Sequence, residues 1–549
     1  MNRIKMYMSM FLMLFMGLQE GSSKNLPMSA DYVIVGVGTA GAVVAKMLSD
    51  DMKTSVVALH SDKNRMKNYF IKFSENAPLV VTSALFNSPF FQTGQTTPQS
   101  NIDNRTVLWA LGLPLGGASA INAGAYCRGT NSRYAEWEAI AGPNWSVNRI
   151  LKIYKELETY TGQTTNPAAR GFRGPINVRQ PAHPTRISQI FTQAITNATG
   201  FSPVLDYNDP DTPIGPSEKL QYTQRPGNGK FRVSSATAFL NNEVMKTNGV
   251  GVGKRKLHVL FEATGLRTLW NGNTAVGIEY MQNGVVKQVT ANKGVIVCAG
   301  LMSSAFLMHS GVGPASLLNS LNIPVKFDNP NVGQGLADQD RLNIFFSANP
   351  SDFPVAPGDE NNFINQIAWL PDPTGDQSIR FFHFATLSPA PGLAFSLLAL
   401  SPAYSRGSIT INSANPLDPP VINLGLLSDS RDLQLLQRVL MVTLKNINNA
   451  LQIIDPSYGL IYPDPSILND ENAVTAFIKE NVGSNECFQS HCRMAPLNQG
   501  GVVRNTGEVH GVNKLWVADD SIVPAGIDGT TMASAYLIGA NIAKMILAK

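Results

Sequence analysis

Residues Asp31 to Lys46 read DYVIVGVGTAGAVVAK, and this stretch constrains the fold more tightly than any other part of the chain. A short apolar run, Tyr32–Val35, breaks into Gly36-Val37-Gly38-Thr39-Ala40-Gly41 and then into an Ala/Val segment of helical character. Strand, tight glycine turn and helix in that order open a βαβ unit that binds a dinucleotide pyrophosphate. Gly36 makes the turn, Gly38 lets a phosphate approach the backbone, and Gly41 lets the helix pack close to the strand. The helix N-terminus adds unpaired N–H groups and the positive end of its dipole. Thr54–Leu59 then reads as a second buried strand, the parallel neighbour that a right-handed βαβ unit requires.

A chain of 549 residues exceeds one ordinary core, so two domains are expected. Hydrophobic residues at 44% and charged residues at 15% describe a globular chain rather than a disordered one. A net charge of +4, without a basic run or a basic patch interleaved with aromatics, argues against nucleic acid as partner and for a small molecule. At the N-terminus, Arg3 and Lys5 precede an apolar segment from Met6 to Leu18, with small Gly21 and Ser23 beyond it. That pattern predicts a cleaved export signal over residues 1–23 and an exported protein, the alternative being an uncleaved membrane anchor. No later segment is long and apolar enough to span a bilayer.

Four cysteines occur. Cys127 and Cys298 lie in apolar stretches and are expected to be buried thiols. Cys487 and Cys492 are close enough in sequence to form a disulfide in an oxidising compartment, and they lack the paired spacing of a zinc site, so no metal is expected. Asn104, Asn144 and Asn197 begin N-x-S/T triplets, which matter only in a eukaryotic secretory pathway.

Further along, Leu111-Gly-Leu-Pro-Leu-Gly-Gly-Ala-Ser-Ala-Ile-Asn122 is rich in bare backbone, which suits a ligand running along it. Strand, glycine and helix return in Gly294–Gly300 and Leu301–Ser310, and again in Leu515–Asp519 and Met532–Leu547. Between them, Arg380–Phe384 and Gly407–Asn412 read as half-buried antiparallel strands, followed by a helix-rich region over Asp432–Ala450. The predicted fold class is therefore α/β. A Rossmann-like βαβ domain is assembled from separated segments (29–158, 215–332 and 500–549). A second domain with an antiparallel sheet is inserted into it (159–214 and 333–499).

Several blocks in order resemble the glucose–methanol–choline (GMC) family of FAD oxidoreductases. They are the N-terminal glycine turn, Gly112–Asn122 with Tyr126-Cys-Arg-Gly129 and Trp137, and Ala299–Ser304 with Ser310-Gly-Val-Gly-Pro314. Pro330-Asn-Val-Gly333, Ser405-Arg-Gly407, Cys492-Arg-Met494 and Val517-Ala-Asp519 continue the match to the C-terminus. The resemblance implies an FAD domain roofed by a substrate domain, and oxidation of a CH–OH group by hydride transfer to flavin N5. It implies that Gly36, Gly38 and Gly41 line the pyrophosphate, that Gly116, Gly117 and Asn122 lie along the FAD near its ring, and that Asp519 closes the other side. Ile121 stands where some relatives attach flavin through a histidine, which implies non-covalent FAD.

Four positions depart from the family pattern. Relatives carry a catalytic histidine five residues before the cysteine of the Cys492 block, and the counted position here is Cys487. The second polar partner falls at Thr530, with Thr531 next. Three readings follow: His491 serves as base, Cys487 acts as thiolate base or attacking group, or the chain is a flavin-binding lyase or altered non-oxidase on the same scaffold. A redox pair of Cys487 and Cys492 is a further reading, and His383 is expected to be a satisfied, half-buried histidine. The third departure is His60, where relatives place a glutamate for the adenosine ribose; Asp62 lies two residues on. Gly265, likewise, stands where relatives offer adenine an apolar side chain.

Overall fold

Apolar runs with no polar alternation become strands covered on both faces, and the first such run sits at the centre of a sheet. The computed structural model describes residues 29–63, 90–211, 214–225, 232–352 and 364–549, so the expected signal at 1–23 lies outside the described residues. Strand Ser29–Val35 pairs in parallel with Val56–Leu59 on one side and with the C-terminal half of Val285–Val297 on the other. Leu257–Leu260 extends the parallel order beyond Val56–Leu59. The N-terminal half of Val285–Val297 turns into an antiparallel meander with Thr274–Gln282 and Ala263–Asn271. Leu515–Val517 then joins Val295–Val297 in parallel, bringing the chain's C-terminal region back to its start. Helices Thr39–Ser49 and Thr531–Leu547 pack together over this sheet, and their close approach requires Gly539, where a Cβ would lie 2.8 Å from the Ala40 carbonyl oxygen.

A second sheet is antiparallel. Its order is Gly459–Tyr462, Asp340–Ser347, Leu393–Leu400, Phe382–Ala390, Ile364–Leu370 and Gly215–Ser217. Asp340–Ser347 alternates buried and half-buried positions, the period-two signature of a strand with one face on a core. Leu342, Ile344, Phe346, Phe384 and Leu398 share that core with Phe191 and Leu451 of the covering helices Arg186–Thr199 and Lys445–Ile454. Gly407–Thr410 is antiparallel as expected, but in a separate small sheet with Gln334–Leu336 and Val421–Asn423.

Two edges of the sequence-based division shift. Gly215–Ser217 belongs to the second sheet through Ile367–Trp369, so the cofactor segment expected from residue 215 starts on a strand of the other sheet. Tyr160, Ile176, Val178, Cys492 and Met494 pack in the first core, although their segments were assigned to the inserted domain. Non-local strand pairing decides these memberships, and composition carries no record of it. Among the described residues, no helix is long and apolar enough to cross a membrane.

Candidate functional site

The glycine turn opens onto a cleft of about 850 Å³ between the two sheets' loops. Gly36 has φ +95°, and a Cβ there would lie 2.4 Å from the Cys298 carbonyl oxygen. A Cβ on Gly41 would lie 2.1 Å from the Gly36 carbonyl oxygen, so helix and strand meet through bare backbone. Gly38 is different: its nearest neighbour in that direction is Gly117 Cα at 4.0 Å. Gly38 is also the N-cap, with no side-chain cap and no acidic residue in the helix's first turn. An uncapped N-terminus facing a cleft is a ready site for an anion.

Gly36, Gly38, His60, Gly117 and Asp519 line the cleft, as do Asp62 and Gly265. His60 follows Leu59 at the strand end and stacks edge-on against Phe261, with ring centroids 5.8 Å apart. Its backbone N–H donates to the Leu260 carbonyl and its own carbonyl accepts from Ala263, so the turn holding the imidazole is tied on both sides. Asp62 stands beside it on the same wall. Gly265 has a packing reason to lack a side chain, because a Cβ would lie 2.7 Å from Val35 Cγ1.

Gly41, Gly116 and Asn122, by contrast, stand behind the wall rather than on it. Gly116 has φ +91° and donates its N–H to the Val37 carbonyl at 2.9 Å, which locks the second glycine stretch against the first. Asn122 Oδ1 accepts from Arg232 at 2.6 Å and from the Gly124 N–H at 2.9 Å, directing it away from the cleft. Asp519 is a clasp as much as a lining residue. It accepts from the Gly300 N–H at 2.9 Å, the Ser303 hydroxyl at 2.6 Å and the Ser521 N–H at 2.9 Å.

At the far end the cleft meets Glu486, Phe488, Asp520 and Thr531. Cys487 is buried just behind them. Its N–H donates to Asp338 at 2.8 Å, and its sulfur faces the Thr531 hydroxyl and N–H. Burial, with Asp338 adding to it, pushes the Cys487 thiol up to about 12, so it stays protonated at neutral pH. This overturns the reading of Cys487 as a thiolate base. Thr530 stands at the N-cap position of the last helix with no side-chain cap and donates to the Ala125 carbonyl at 3.4 Å, while its neighbour Thr531 lines the cleft. A helix start sends successive side chains in different directions, so these adjacent threonines meet different surroundings.

His491 does not reach the cleft. It is fully buried with Nδ1 2.9 Å from the Ser304 hydroxyl, and burial lowers it to about 3. Cys487 and Cys492 are free thiols, as are Cys127 and Cys298, and all four are buried, so no bridge joins Cys487 to Cys492. His383 pairs with the Ser401 hydroxyl at 3.0 Å and packs on Trp369, a satisfied core histidine and fully buried rather than half-buried.

Sequence reasoning missed Glu486, Asp520 and the choice of Thr531. Glu486 adopts φ +58°, and burial raises its carboxyl to about 7, with Arg341 opposing and Asp338 adding to the shift. Burial raises Asp520 well above the usual carboxylate range, Ser534 opposing and Asp519 adding. The available signal was an acid immediately flanking each family block: Glu486 before Cys487 and Asp520 after Asp519.

A family model for GMC oxidoreductase matches residues 30–340, and its C-terminal counterpart matches 403–539. The chain belongs to the GMC oxidoreductase family. It is 31% identical over 550 residues to an uncharacterized GMC-type oxidoreductase of Mycobacterium tuberculosis, covering 94% of this chain and 99% of that one. It is 28% identical over 556 residues to an alcohol dehydrogenase (acceptor) of Pseudomonas putida, covering 94% and 96%. The fold matches that of an FAD-dependent oxidoreductase of Chaetomium thermophilum with a TM-score of 0.81 at 23% identity, covering 95% and 99%.

Proposed function

We propose that this GMC oxidoreductase binds FAD non-covalently in the cleft and oxidises a CH–OH group of a small-molecule alcohol. The observation that carries the reading is the cleft itself. An uncapped helix N-terminus and the open side of Gly38 line one part of it, and Glu486, Phe488 and Thr531 line another. The residues present fit the cofactor. Gly36 and Gly38 with the first N–H groups of Thr39–Ser49 would hold the pyrophosphate, and His60 with Asp62 would face the ribose. Bound FAD supplies a two-electron acceptor for hydride. The chain's own part is to hold the alcohol beside Thr531, exclude water and accept the hydroxyl proton. Ile121, buried where some family members carry the linking histidine, supports non-covalent attachment.

A second reading, a lyase or altered non-oxidase, is favoured by the protonated Cys487 thiol at the histidine position. One preparation separates the two. The purified protein should show flavin absorbance, release the flavin on acid precipitation, and bleach anaerobically with some member of a primary-alcohol panel. Flavin that never bleaches supports the second reading, and a protein that takes up no flavin sinks both. N-terminal sequencing of the same sample reads the export proposal: cleavage near Ser23 supports it, and an intact Met1 favours the anchor.

A further inference from the structure

We propose that Glu486 is the general base of this cleft, taking the hydroxyl proton that the altered Cys487–Thr531 pair is unable to accept. The inference rests on the CH–OH reading above. It starts from elimination among the groups that line the cleft. The Cys487 thiol is protonated and turned onto Thr531, and a threonine hydroxyl is no base at neutral pH. Both oxygens of Asp519 are taken by donors from Gly300, Ser303 and Ser521. Burial, with Asp519 adding to it, holds the Asp520 carboxyl well above the usual carboxylate range, and Ser534 hydrogen-bonds it. His60 and Asp62 belong to the glycine-turn end, and His309 faces Arg267 and Asp418.

Glu486 combines a place in the cleft lining, next to the Cys487 that meets Thr531, with a carboxylate that is free among the described residues. The left-handed backbone at φ +58° lets it point one way while Cys487 points another, so adjacent residues serve the cleft and the core. Its backbone is pinned by an N–H bond to the Ser484 hydroxyl at 2.9 Å. Its carboxylate has no hydrogen bond or ion pair among the described residues, so both oxygens are open to a ligand. The charged groups facing it are Arg341 and Asp338. A carboxyl titrating near 7 is matched to proton abstraction at physiological pH.

The balanced step is simple. The alcohol O–H proton passes to the Glu486 carboxylate, the C–H hydrogen leaves with its electron pair to the oxidised flavin, and the C–O bond becomes C=O.

The test uses the flavin-loaded protein with Glu486→Gln and Glu486→Asp. The Gln variant should keep its flavin yet be reduced by alcohol on the order of 10²–10³-fold more slowly. It should also lose the rise in rate centred near pH 7, and the Asp variant should recover part of both. A second readout needs no turnover. In the flavin-free protein, the folded-state carboxyl lies near 7 against an unfolded value of 4.5. Its destabilising effect is absent at low pH, grows from 4.5 to 7 and is full above. The melting temperature of Glu486→Gln relative to the parent should therefore climb across that window and then level off. A Gln variant as fast as an active parent, with the same pH profile, overturns the base role alone. So does a melting difference that is flat with pH. A parent that holds flavin but is inert to every alcohol overturns the CH–OH reading and the base role with it.

Discussion

Gly38 and Gly41 are three residues apart, yet a methyl group added to each meets opposite surroundings. At Gly41 it strikes the Gly36 carbonyl oxygen at 2.1 Å, and at Gly38 it enters open space with Gly117 Cα 4.0 Å away. Backbone is unable to yield as a flexible side chain does, so Gly41→Ala should cost about 2–3 kcal/mol of stability, the scale of overpacking a core. Gly38→Ala should leave the flavin-free protein within about 1 kcal/mol of the parent while weakening flavin at least tenfold. Denaturant titration and flavin titration of both variants check the contrast, and equal losses for the two would contradict it. The glycine motif was legible in the sequence as a tight turn at Gly36 and a close helix–strand approach at Gly41. The catalytic end was not: Thr530 and Thr531 are chemically identical in a sequence, and only the start of the last helix decides which of them meets the cleft.

At the scale of elements, one buried charge network ties together strand Glu158–Tyr160, the Arg128 loop and the Arg170 loop. Glu158 pairs with Arg128 at 2.6 Å and with Arg170 at 3.0 Å, and Arg170 reaches Asp206 at 3.0 Å, all with side chains no more than 2% exposed. Removing one charge from such a group leaves its partners buried and uncompensated. Glu158→Gln should therefore destabilise the protein by about 3–5 kcal/mol in a chemical denaturation curve, and a loss under about 1 kcal/mol would show the pairs to be solvated. The elements themselves were largely legible. Tyr32–Val35, Thr54–Leu59, Leu515–Asp519 and Met532–Leu547 all form in the expected state, because apolar runs and glycine breaks act locally. Their partners were less so. Gly215–Ser217 is three residues of ordinary composition whose sheet is chosen by Ile367–Trp369, some 150 positions away.

For the whole molecule, the buried titratable groups set a pH dependence of stability. Burial raises Asp338, Asp340, Asp432, Asp519 and Asp520, and lifts Glu486 to about 7. A carboxyl with a raised folded-state value binds more proton when folded, so it costs stability as pH rises toward that value. Burial lowers His309 and His383 to about 4 and His491 to about 3, which costs stability as pH falls below 6.5. The two sets oppose each other in mild acid. Above 6.5 the histidines are neutral in both states, while Glu486, lifted to about 7, is still losing its proton. The melting temperature of the flavin-free protein should accordingly fall from pH 6.5 to about 8.5, and a flat or rising profile would contradict this.

The opening glycine turn shows how far the sequence reached unaided. An apolar strand broken by glycines into a helix folds locally, so Gly36–Gly41 determined the βαβ unit, the uncapped helix N-terminus at the cleft and, with the later blocks, the GMC scaffold. Which side chains do chemistry at the other end was decided only by tertiary structure. Burial there makes Cys487 a neutral thiol, hides His491 behind Ser304 and turns Glu486 into a carboxyl poised near neutrality. Solvation and direction are properties of a folded neighbourhood, and a sequence lists neighbours along the chain rather than across it.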